Sequence, residues 1–230
     1  MATAEELVAF RLDAAEKSGG TSSPRIKDFI LRLISPMEVV EKVLDFGAGK
    51  GELLTILSEK FPDWVLTGTD IMERPAGLQR KINWHQQDLN NPWRPGELFD
   101  LVICSEVIEH LENPRQLFRD LFALIRPGGR LVLTMPNQES YRSLLSLYWR
   151  GNHVCFVGDC YPAHITALVA QDLQRMASEV GLCDVRIEYS GIGCIPKLTR
   201  FSWQGLSLGV LRGKRFSDGM AIVARKEFVQ

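Results

Sequence analysis

The sequence is organised around residues 42–70, which read KVLDFGAGKGELLTILSEKFPDWVLTGTD. A short apolar run ends in the glycine-rich turn at residues 47–51, a segment with apolar residues at helical spacing follows, and a second apolar run from Trp64 closes on Asp70. Strand, glycine turn, helix, strand and acid, in that order, form the layout of a nucleotide-binding βαβ unit. Glycines at the turn let the main chain bend sharply and bring its N–H groups against a ligand at the helix start.

The turn differs from the usual phosphate-binding patterns. Asp45 stands two residues before the first glycine, so the turn reads D-x-G-x-G-x-G, which matches neither the dinucleotide pattern G-x-G-x-x-G nor the P-loop. A carboxylate here would repel a pyrophosphate but suits a ligand with an amino group and a sulfonium. The pattern resembles the first motif of the class I S-adenosylmethionine-dependent methyltransferases. Asp70 is then placed to accept both hydroxyls of a ribose.

The resemblance extends over roughly residues 40–137. The segments FDLVICSEVIEHLENP and LFRDLFALIRPGGRLVLTMPN are similar to the central part of small-molecule methyltransferases, including the ubiquinone-pathway O-methyltransferases. This resemblance implies a Rossmann-like α/β fold: a mostly parallel seven-stranded sheet ordered 3-2-1-4-5-7-6, with strand 7 antiparallel and helices on both faces. It assigns the cofactor, S-adenosylmethionine, to Asp45, Gly47, Ala48, Gly49, Gly51, Asp70, Ile71, Asp88, Leu89 and Ser105.

Apolar periodicity and turn residues predict the other elements of a single domain that covers residues 1–230. Ser23 is the expected N-cap of the second helix, and Pro24 its first residue. The two helices before the first strand form an N-terminal helical cap, residues 1–37, which the resemblance places over the cofactor. The predicted helices are 4–17, 24–34, 114–125, 138–149 and 166–180; the later strands are 82–85, 99–104, 131–135, 185–189 and 220–224, and residues 126–130 are a turn.

Residues 105–110, which leave the fourth strand, face the reactive methyl group of a cofactor bound at the strand ends. If they open a helix, Glu106, Glu109 and His110 share one face. Two carboxylates and an imidazole can hold a divalent ion, Mg²⁺ or Mn²⁺, and E-x-x-E-H resembles the metal-binding stretch of small-RNA 2′-O-methyltransferases and ubiquinone-pathway enzymes. His164 is the better candidate to complete the set, with His153 second. Without a metal, His110 or His164 is the candidate general base.

A second group of zinc-ligand residue types lies in the loop at residues 152–164, namely His153, Cys155, Cys160 and His164. Its spacing, H-x-C-x4-C-x3-H, is not one of the usual zinc pairings. Loop and core positions explain these residues more simply than a structural zinc does.

Residues 189–217 form an unusual segment between the last two strands. It is rich in aromatic and aliphatic residues and carries Lys197, Arg200, Arg212, Lys214 and Arg215 without an acid after Tyr189. The composition fits a lid over an anionic substrate, a contact with a lipid surface, or a homodimer interface. A helix packed on the sheet edge, with its basic ends in water, is the alternative.

Charge and cysteine usage limit the partners. The 230 residues carry 27 Lys and Arg against 28 Asp and Glu, a net charge of −1, which argues against a nucleic-acid partner. The five cysteines include no C-x-x-C pair, no apolar run spans a membrane, and the charged N-terminus does not resemble a signal peptide, so a cytoplasmic location is expected.

Together these features predict S-adenosylmethionine-dependent methyl transfer to a small molecule, with O-methylation of a phenolic, sugar or lipid-linked metabolite favoured. The alternatives are a metal-dependent RNA 2′-O-methyltransferase and a non-catalytic S-adenosylmethionine-binding interaction protein. Transfer from a sulfonium gains mainly from holding the two reactants in line, so the sequence says little about the acceptor atom.

Overall fold

The fold is built on one large β-sheet, seen here in a computed structural model that describes residues 3–37 and 40–228. The predicted N-terminal cap is therefore described except for its first two residues. Nine strands are present within these ranges: β1 Lys42–Phe46, β2 Val65–Asp70, β3 Asn83–Gln86, β4 Phe99–Ser105, β5 Ile125–Pro136, β6 Leu182–Tyr189, β7 Cys194–Ile195, β8 Leu198–Ser202 and β9 Gly219–Lys226.

Seven of these strands form the main sheet, in the order β3-β2-β1-β4-β5-β9-β6. All neighbours are parallel except β9, which is antiparallel to both β5 and β6. The predicted sheet order is confirmed, with β9 as its seventh strand. β7 and β8 form a separate antiparallel hairpin between the last two strands of the sheet.

Helices cover both faces of the sheet, and their ends follow capping rules. Thr3 and Glu6 form a reciprocal capping box at the first helix, and the Ser23 hydroxyl accepts the N–H of Ile26 with Pro24 at the first helical position, as predicted. The helices are α1 Ala4–Lys17, α2 Pro24–Ile34, α3 Glu52–Lys60, α4 Pro114–Leu124, α5 Tyr141–Arg150, α6 Ala170–Glu179 and α7 Trp203–Leu206. None of the helices in the described ranges is long and apolar enough to cross a membrane.

Several predicted boundaries are wrong by three residues or more, including the start of β6, at Leu182 rather than 185. Residues 126–130 are not a separate turn but belong to β5, with a shift of register against β4. α5 begins at Tyr141 rather than 138, because the Ser140 side chain caps it. α6 begins at Ala170 rather than 166, because the N–H groups of Ile165 and Thr166 donate to the carbonyl of Glu109 instead of entering a helix.

The central strands are buried on both faces, as the continuous apolar run of β4 predicts. Val102 and Cys104 pack with Leu133 into the core under α4 and α6. Leu101 and Ile103 face the opposite core, under α2 and α3. This double burial fixes the carboxyl ends of β1, β2 and β4, from which the site residues project.

Candidate active site

A cavity of about 310 Å³ lies at the carboxyl ends of β1, β2 and β4 and is roofed by α1 and the start of α2. Gly47 and Gly49 form its floor with φ of +82° and +52°, a backbone region that other residues rarely adopt. A Cβ at Gly49 would lie 2.2 Å from the carbonyl oxygen of Gly20, and one at Gly47 would lie 2.3 Å from a methyl carbon of Val107. The turn therefore requires glycine at both positions.

Asp70, at the end of β2, is held in place by the main chain. Its Oδ2 accepts the N–H of Gly49 at 2.7 Å and its Oδ1 accepts the N–H of Met72 at 3.0 Å. Burial raises the pKa of Asp70, and these backbone hydrogen bonds oppose the rise. Each carboxylate oxygen retains a lone pair, so Asp70 can still accept hydroxyl groups from a ligand in the cavity.

Asp45, in β1, is 2% exposed and lines the same cavity. Burial raises the pKa of Asp45 to about 7, and the nearby charge of Asp70 adds to the rise. A buried carboxylate in this state gains from a cationic partner, because the cation stabilises its ionised form.

The carboxylate of Asp88 already accepts hydrogen bonds within the protein, one of them from the roof of the cavity. Its carboxylate accepts hydrogen bonds from Arg11 of α1 and from the side chains of Asn90 and Asn91. Arg11 also donates to Glu112 at 2.8 Å, so one guanidinium ties the roof to two loops at the mouth of the cavity. Sequence reasoning missed Arg11, since nothing in the local pattern of α1 indicates a partner 77 residues away.

Nine of the ten residues assigned to the cofactor by resemblance line this cavity. The exception is Gly51, the N-cap of α3, which has φ of +72° and whose Cβ would lie 2.8 Å from Cδ1 of Leu78. The nine that line it are Asp45, Gly47, Ala48, Gly49, Asp70, Ile71, Asp88, Leu89 and Ser105.

The acids after β4 do not open a helix as expected. Only a single 3₁₀ turn forms, at Ile108–His110, and Glu106 precedes it in the left-handed region with φ of +55°. The Glu106 Oε1 accepts a hydrogen bond from the Thr134 hydroxyl at 3.0 Å. Burial raises the pKa of Glu106 to about 7. The predicted single helical face shared by Glu106, Glu109 and His110 is therefore wrong.

Glu109, His110 and His164 come together without Glu106. One ligand atom from each of the three residues lies within 4.8 Å of the other two. Glu109 is fully buried, and neither of its carboxylate oxygens has a hydrogen-bond partner in the described structure, nor does Nδ1 of His164. Burial, and then the charge of Glu106, raise the pKa of Glu109 well above its ordinary value.

The loop before α6 brings His164 to this group. The carbonyl of Glu109 accepts the N–H groups of Ile165 and Thr166 at 2.9 and 3.0 Å, and Nδ1 of His110 donates to the carbonyl of Ala163 at 2.7 Å. Burial, followed by the neighbouring His164, lowers the pKa of His110 to about 4, so the ring is neutral at pH 7. A neutral ring that donates from Nδ1 leaves Nε2 as its accepting atom.

The other candidate ligands lie outside the group. His153 contacts the Ser143 hydroxyl through Nδ1 at 2.8 Å. Cys155 and Cys160 are free thiols, and neither joins a cluster of three metal-ligating side chains in the part of the chain that the structure describes.

A second cavity, of about 480 Å³, adjoins the first. Both cavities are lined by Ser23, Ile26 and Glu106. Asp218 and Arg25 also line the second cavity, and neither lines the first.

Known proteins resemble the chain in sequence and in fold. A family model described as a methyltransferase domain matches residues 21–187. The chain is 31% identical over 105 residues to the ubiquinone biosynthesis O-methyltransferase of Coxiella burnetii (42% of this chain, 44% of the relative). It is 24% identical over 153 residues to the Vibrio vulnificus protein of the same name (63% and 64%). The chain thus spans less than two thirds of either relative.

One solved structure with the same fold is the plantazolicin methyltransferase BpumL in complex with a pentazolic desmethylPZN analogue and SAH. It superposes with a TM-score of 0.63 over 97% of this chain and 98% of its own, at 17% identity. The match of the family model over most of the chain, together with the sheet order and the glycine turn, gives the family. The chain belongs to the class I S-adenosylmethionine-dependent methyltransferases.

Proposed function

We propose that the chain transfers the methyl group of S-adenosylmethionine to an oxygen of a small molecule, of the phenolic, sugar or lipid-linked class. The observation that carries this proposal is that two cavities adjoin, with Ser23, Ile26 and Glu106 in the lining of both. One has the glycine turn and three carboxylates that suit a cationic nucleoside, and the other is open to an acceptor. The Coxiella burnetii and Vibrio vulnificus relatives, both named O-methyltransferases, support the choice of oxygen.

In the first cavity the chain binds S-adenosylmethionine and fixes its orientation. The main-chain turn at Gly47 and Gly49 admits the ligand closely, Asp70 accepts the ribose hydroxyls, and Asp45 faces the amino group. Asp88 shares its carboxylate between Arg11 and the adenine amine. Bound S-adenosylmethionine would supply a methyl group already activated by a sulfonium. The protein then gains rate mainly by holding the acceptor in line with that methyl group.

In the first cavity, which His110 and His164 also line, the chain receives the proton of the acceptor. His110 and His164 are both neutral near pH 7, since burial lowers the pKa of each. Nε2 of His110 is the atom proposed to accept a proton from the acceptor hydroxyl, while Nδ1–H stays on the carbonyl of Ala163. His164 is the second candidate base.

As the alternative to a free histidine base, we propose that Glu109, His110 and His164 hold a divalent metal ion, Mg²⁺ or Mn²⁺, in which case Nε2 of His110 is a ligand and does not accept the proton. The residues fit such an ion: a fully buried carboxylate with two unpartnered oxygens is costly alone, and a cation relieves that cost. Glu106 is a neighbour rather than a member of this set. Bound there, the metal would lower the pKa of the acceptor hydroxyl and orient it.

The first experiment is calorimetry with S-adenosylhomocysteine. We expect binding by the natural chain and a loss of at least about tenfold for Asp70→Ala, because each hydrogen bond to a charged group contributes about 1.5–3 kcal/mol. Asp63→Ala, an exposed acid before β2, is the matched control. Mass spectrometry of S-adenosylhomocysteine formed with a panel of phenols, sugars, lipid-linked acceptors and short RNAs then identifies the acceptor. No uptake of the nucleoside by the natural chain would overturn the proposal.

The second experiment titrates Mn²⁺ and follows the free ion by electron paramagnetic resonance. Glu109→Gln is expected to weaken Mn²⁺ binding at least about tenfold because it removes the charged ligand. His153→Ala serves as the control, because His153 contacts Ser143 and not the metal group. Equal Mn²⁺ affinity in both variants would refute the metal site without affecting the nucleoside site.

A further inference from the structure

A part of the surface stands out because it is apolar, basic and ordered at once. It consists of residues 193–213, here called the arm, which includes β7, β8 and α7, and of the end of α5 at residues 147–150. The exposed apolar side chains, with their exposed fractions, are Tyr148 81%, Trp149 66%, Leu198 57%, Phe201 62%, Leu206 72%, Leu208 95% and Val210 79%.

The arm holds these side chains out on a fixed scaffold. The Gln204 side chain accepts the N–H of Gly193 at 3.0 Å and donates to the carbonyls of Leu211 and Phe216, which pins both ends of the arm together. Beneath it, Asn137 donates to the carbonyls of Lys214 and Ser217 at 2.6 and 2.8 Å. The exposure is therefore built into the fold.

At the tip of the arm, the backbone is strained at a residue whose apolar side chain is exposed to solvent. Leu208 has φ of +52°, which is unfavourable for a leucine, and its side chain is 95% exposed. The neighbouring turn is closed by hydrogen bonds from the N–H of Gly209 to Gln204 and from the N–H of Val210 to Ser207. An apolar residue kept strained in water is explained if the residue inserts into an apolar phase.

The charge of this surface has one sign. Residues 190–217 contain no Asp or Glu. In the described structure Lys197, Arg200 and Arg212 form no ion pair, whereas Lys214 pairs with Glu139 at 2.6 Å. The ammonium of Lys197 lies 5.9 Å from the ring centre of Trp149, which brings α5 and the arm into one surface.

The surface is also continuous with the second cavity. The chain lines this cavity at Ser190 and Ile192 as it enters the arm, and again at Asp218 and Gly219 as it returns to β9. Whatever covers the arm therefore lies beside the opening proposed for the acceptor.

We propose that the arm and the end of α5 dock on an anionic lipid surface. This deepens the proposed function, on which it rests, by assigning the acceptor to the lipid-linked class. Unpaired cations around exposed aliphatic and aromatic side chains match the anionic headgroups and acyl region of a bilayer. A polyanion would leave the aliphatic side chains in water. A symmetric homodimer, the other occupant considered for this segment, would bring the same cations against each other.

The test is flotation with phosphatidylcholine vesicles that contain either no phosphatidylglycerol or 30% of it. The natural chain is expected to bind the anionic vesicles at least tenfold more tightly than the vesicles without phosphatidylglycerol. This preference should decrease at high salt, because salt screens the charges. Leu208→Ser combined with Val210→Ser should lose at least tenfold in binding to the anionic vesicles. Lys197→Glu combined with Arg200→Glu should remove the preference for phosphatidylglycerol.

The controls separate this proposal from the previous one. Arg80→Glu with Lys81→Glu, before β3 at the opposite edge of the sheet, and Leu98→Ser, an exposed leucine before β4, should bind the vesicles like the natural chain. All of these vesicle-binding variants should bind S-adenosylhomocysteine like the natural chain. Vesicle binding therefore tests the arm, and nucleoside binding tests the cofactor site separately. The docking proposal is overturned if the natural chain ignores the anionic vesicles, if the arm variants bind them unchanged, or if sedimentation equilibrium shows a dimer that the arm variants dissociate.

Discussion

The pKa of Asp45 leads to a quantitative prediction about cofactor binding. In the free protein this pKa is raised to about 7, so about half of the carboxyl groups are ionised at pH 7 and about 1% at pH 5. The amino group of S-adenosylhomocysteine stays protonated over this range, since α-amino groups titrate near pH 8. If the ammonium binds the ionised carboxylate, its binding lowers the pKa of Asp45 and releases a proton.

The titration of Asp45 sets the direction in which nucleoside affinity changes with pH. Affinity should be highest above pH 7 and fall as the pH drops, because part of the binding free energy is then used to deprotonate Asp45. Between pH 7 and pH 5 the dissociation constant should rise about fifty-fold, or about 2.3 kcal/mol at 1.36 kcal/mol per tenfold change. Asp45→Asn should bind weakly at both pH values and show less than about a threefold change.

Calorimetry in two buffers of different ionisation enthalpy measures both the affinity and the protons released. Glu106→Gln is the necessary control, because Glu106 lines the same cavity and its pKa is also about 7. That variant should retain the full pH dependence of nucleoside binding. A fifty-fold change that survives in Asp45→Asn, or that vanishes in Glu106→Gln, would refute the role given to Asp45.

Three further substitutions test the surrounding structure. Gly49→Ala should weaken nucleoside binding at least about tenfold in calorimetry, since its Cβ would meet the carbonyl of Gly20, whereas Gly96→Ala, with a positive φ of +79° but open space around its Cβ, should not. Arg11→Ala should raise the dissociation rate of the nucleoside at least about fivefold in stopped-flow, because the roof loses its tie to Asp88 and Glu112; an unchanged rate would contradict this. Asp100→Ala should lower the urea-unfolding free energy by about 2–4 kcal/mol, since its carboxylate accepts the N–H groups of Glu41 and Lys42, and a loss below about 1 kcal/mol would argue against that role.

The parts of the fold that the sequence predicts are those set by local pattern. Local sequence pattern is enough to predict the glycine turn, the acid at the end of β2 and the buried strand β4. Because the carboxyl ends of parallel strands lie at one edge of the sheet, Asp45, Asp70 and Asp88 then come together there. Helix starts at Ser23 and Pro24 are equally local.

The misses depend on partners distant in the chain. Helical spacing favoured one face for Glu106 and Glu109, but Glu106 adopts a left-handed backbone and receives the hydroxyl of Thr134 from β5. The hydrogen bond from Arg11 to Asp88 likewise joins a helix to a loop 77 residues later in the chain. The apolar periodicity of either segment gives no sign of this contact. The composition of residues 189–217 indicated an unusual surface, but the hairpin of β7 and β8 depends on the anchoring of Gln204 and Asn137.

The anchoring of the arm by Gln204 and Asn137 separates its tip from the sheet. Because Gln204 and Asn137 close the base of the arm and β9 continues the sheet behind it, the residues at its tip can diverge without altering the strands that carry the glycine turn. Replacing the arm at its base should therefore change the exposed surface of this chain while the strands that carry the glycine turn keep their structure.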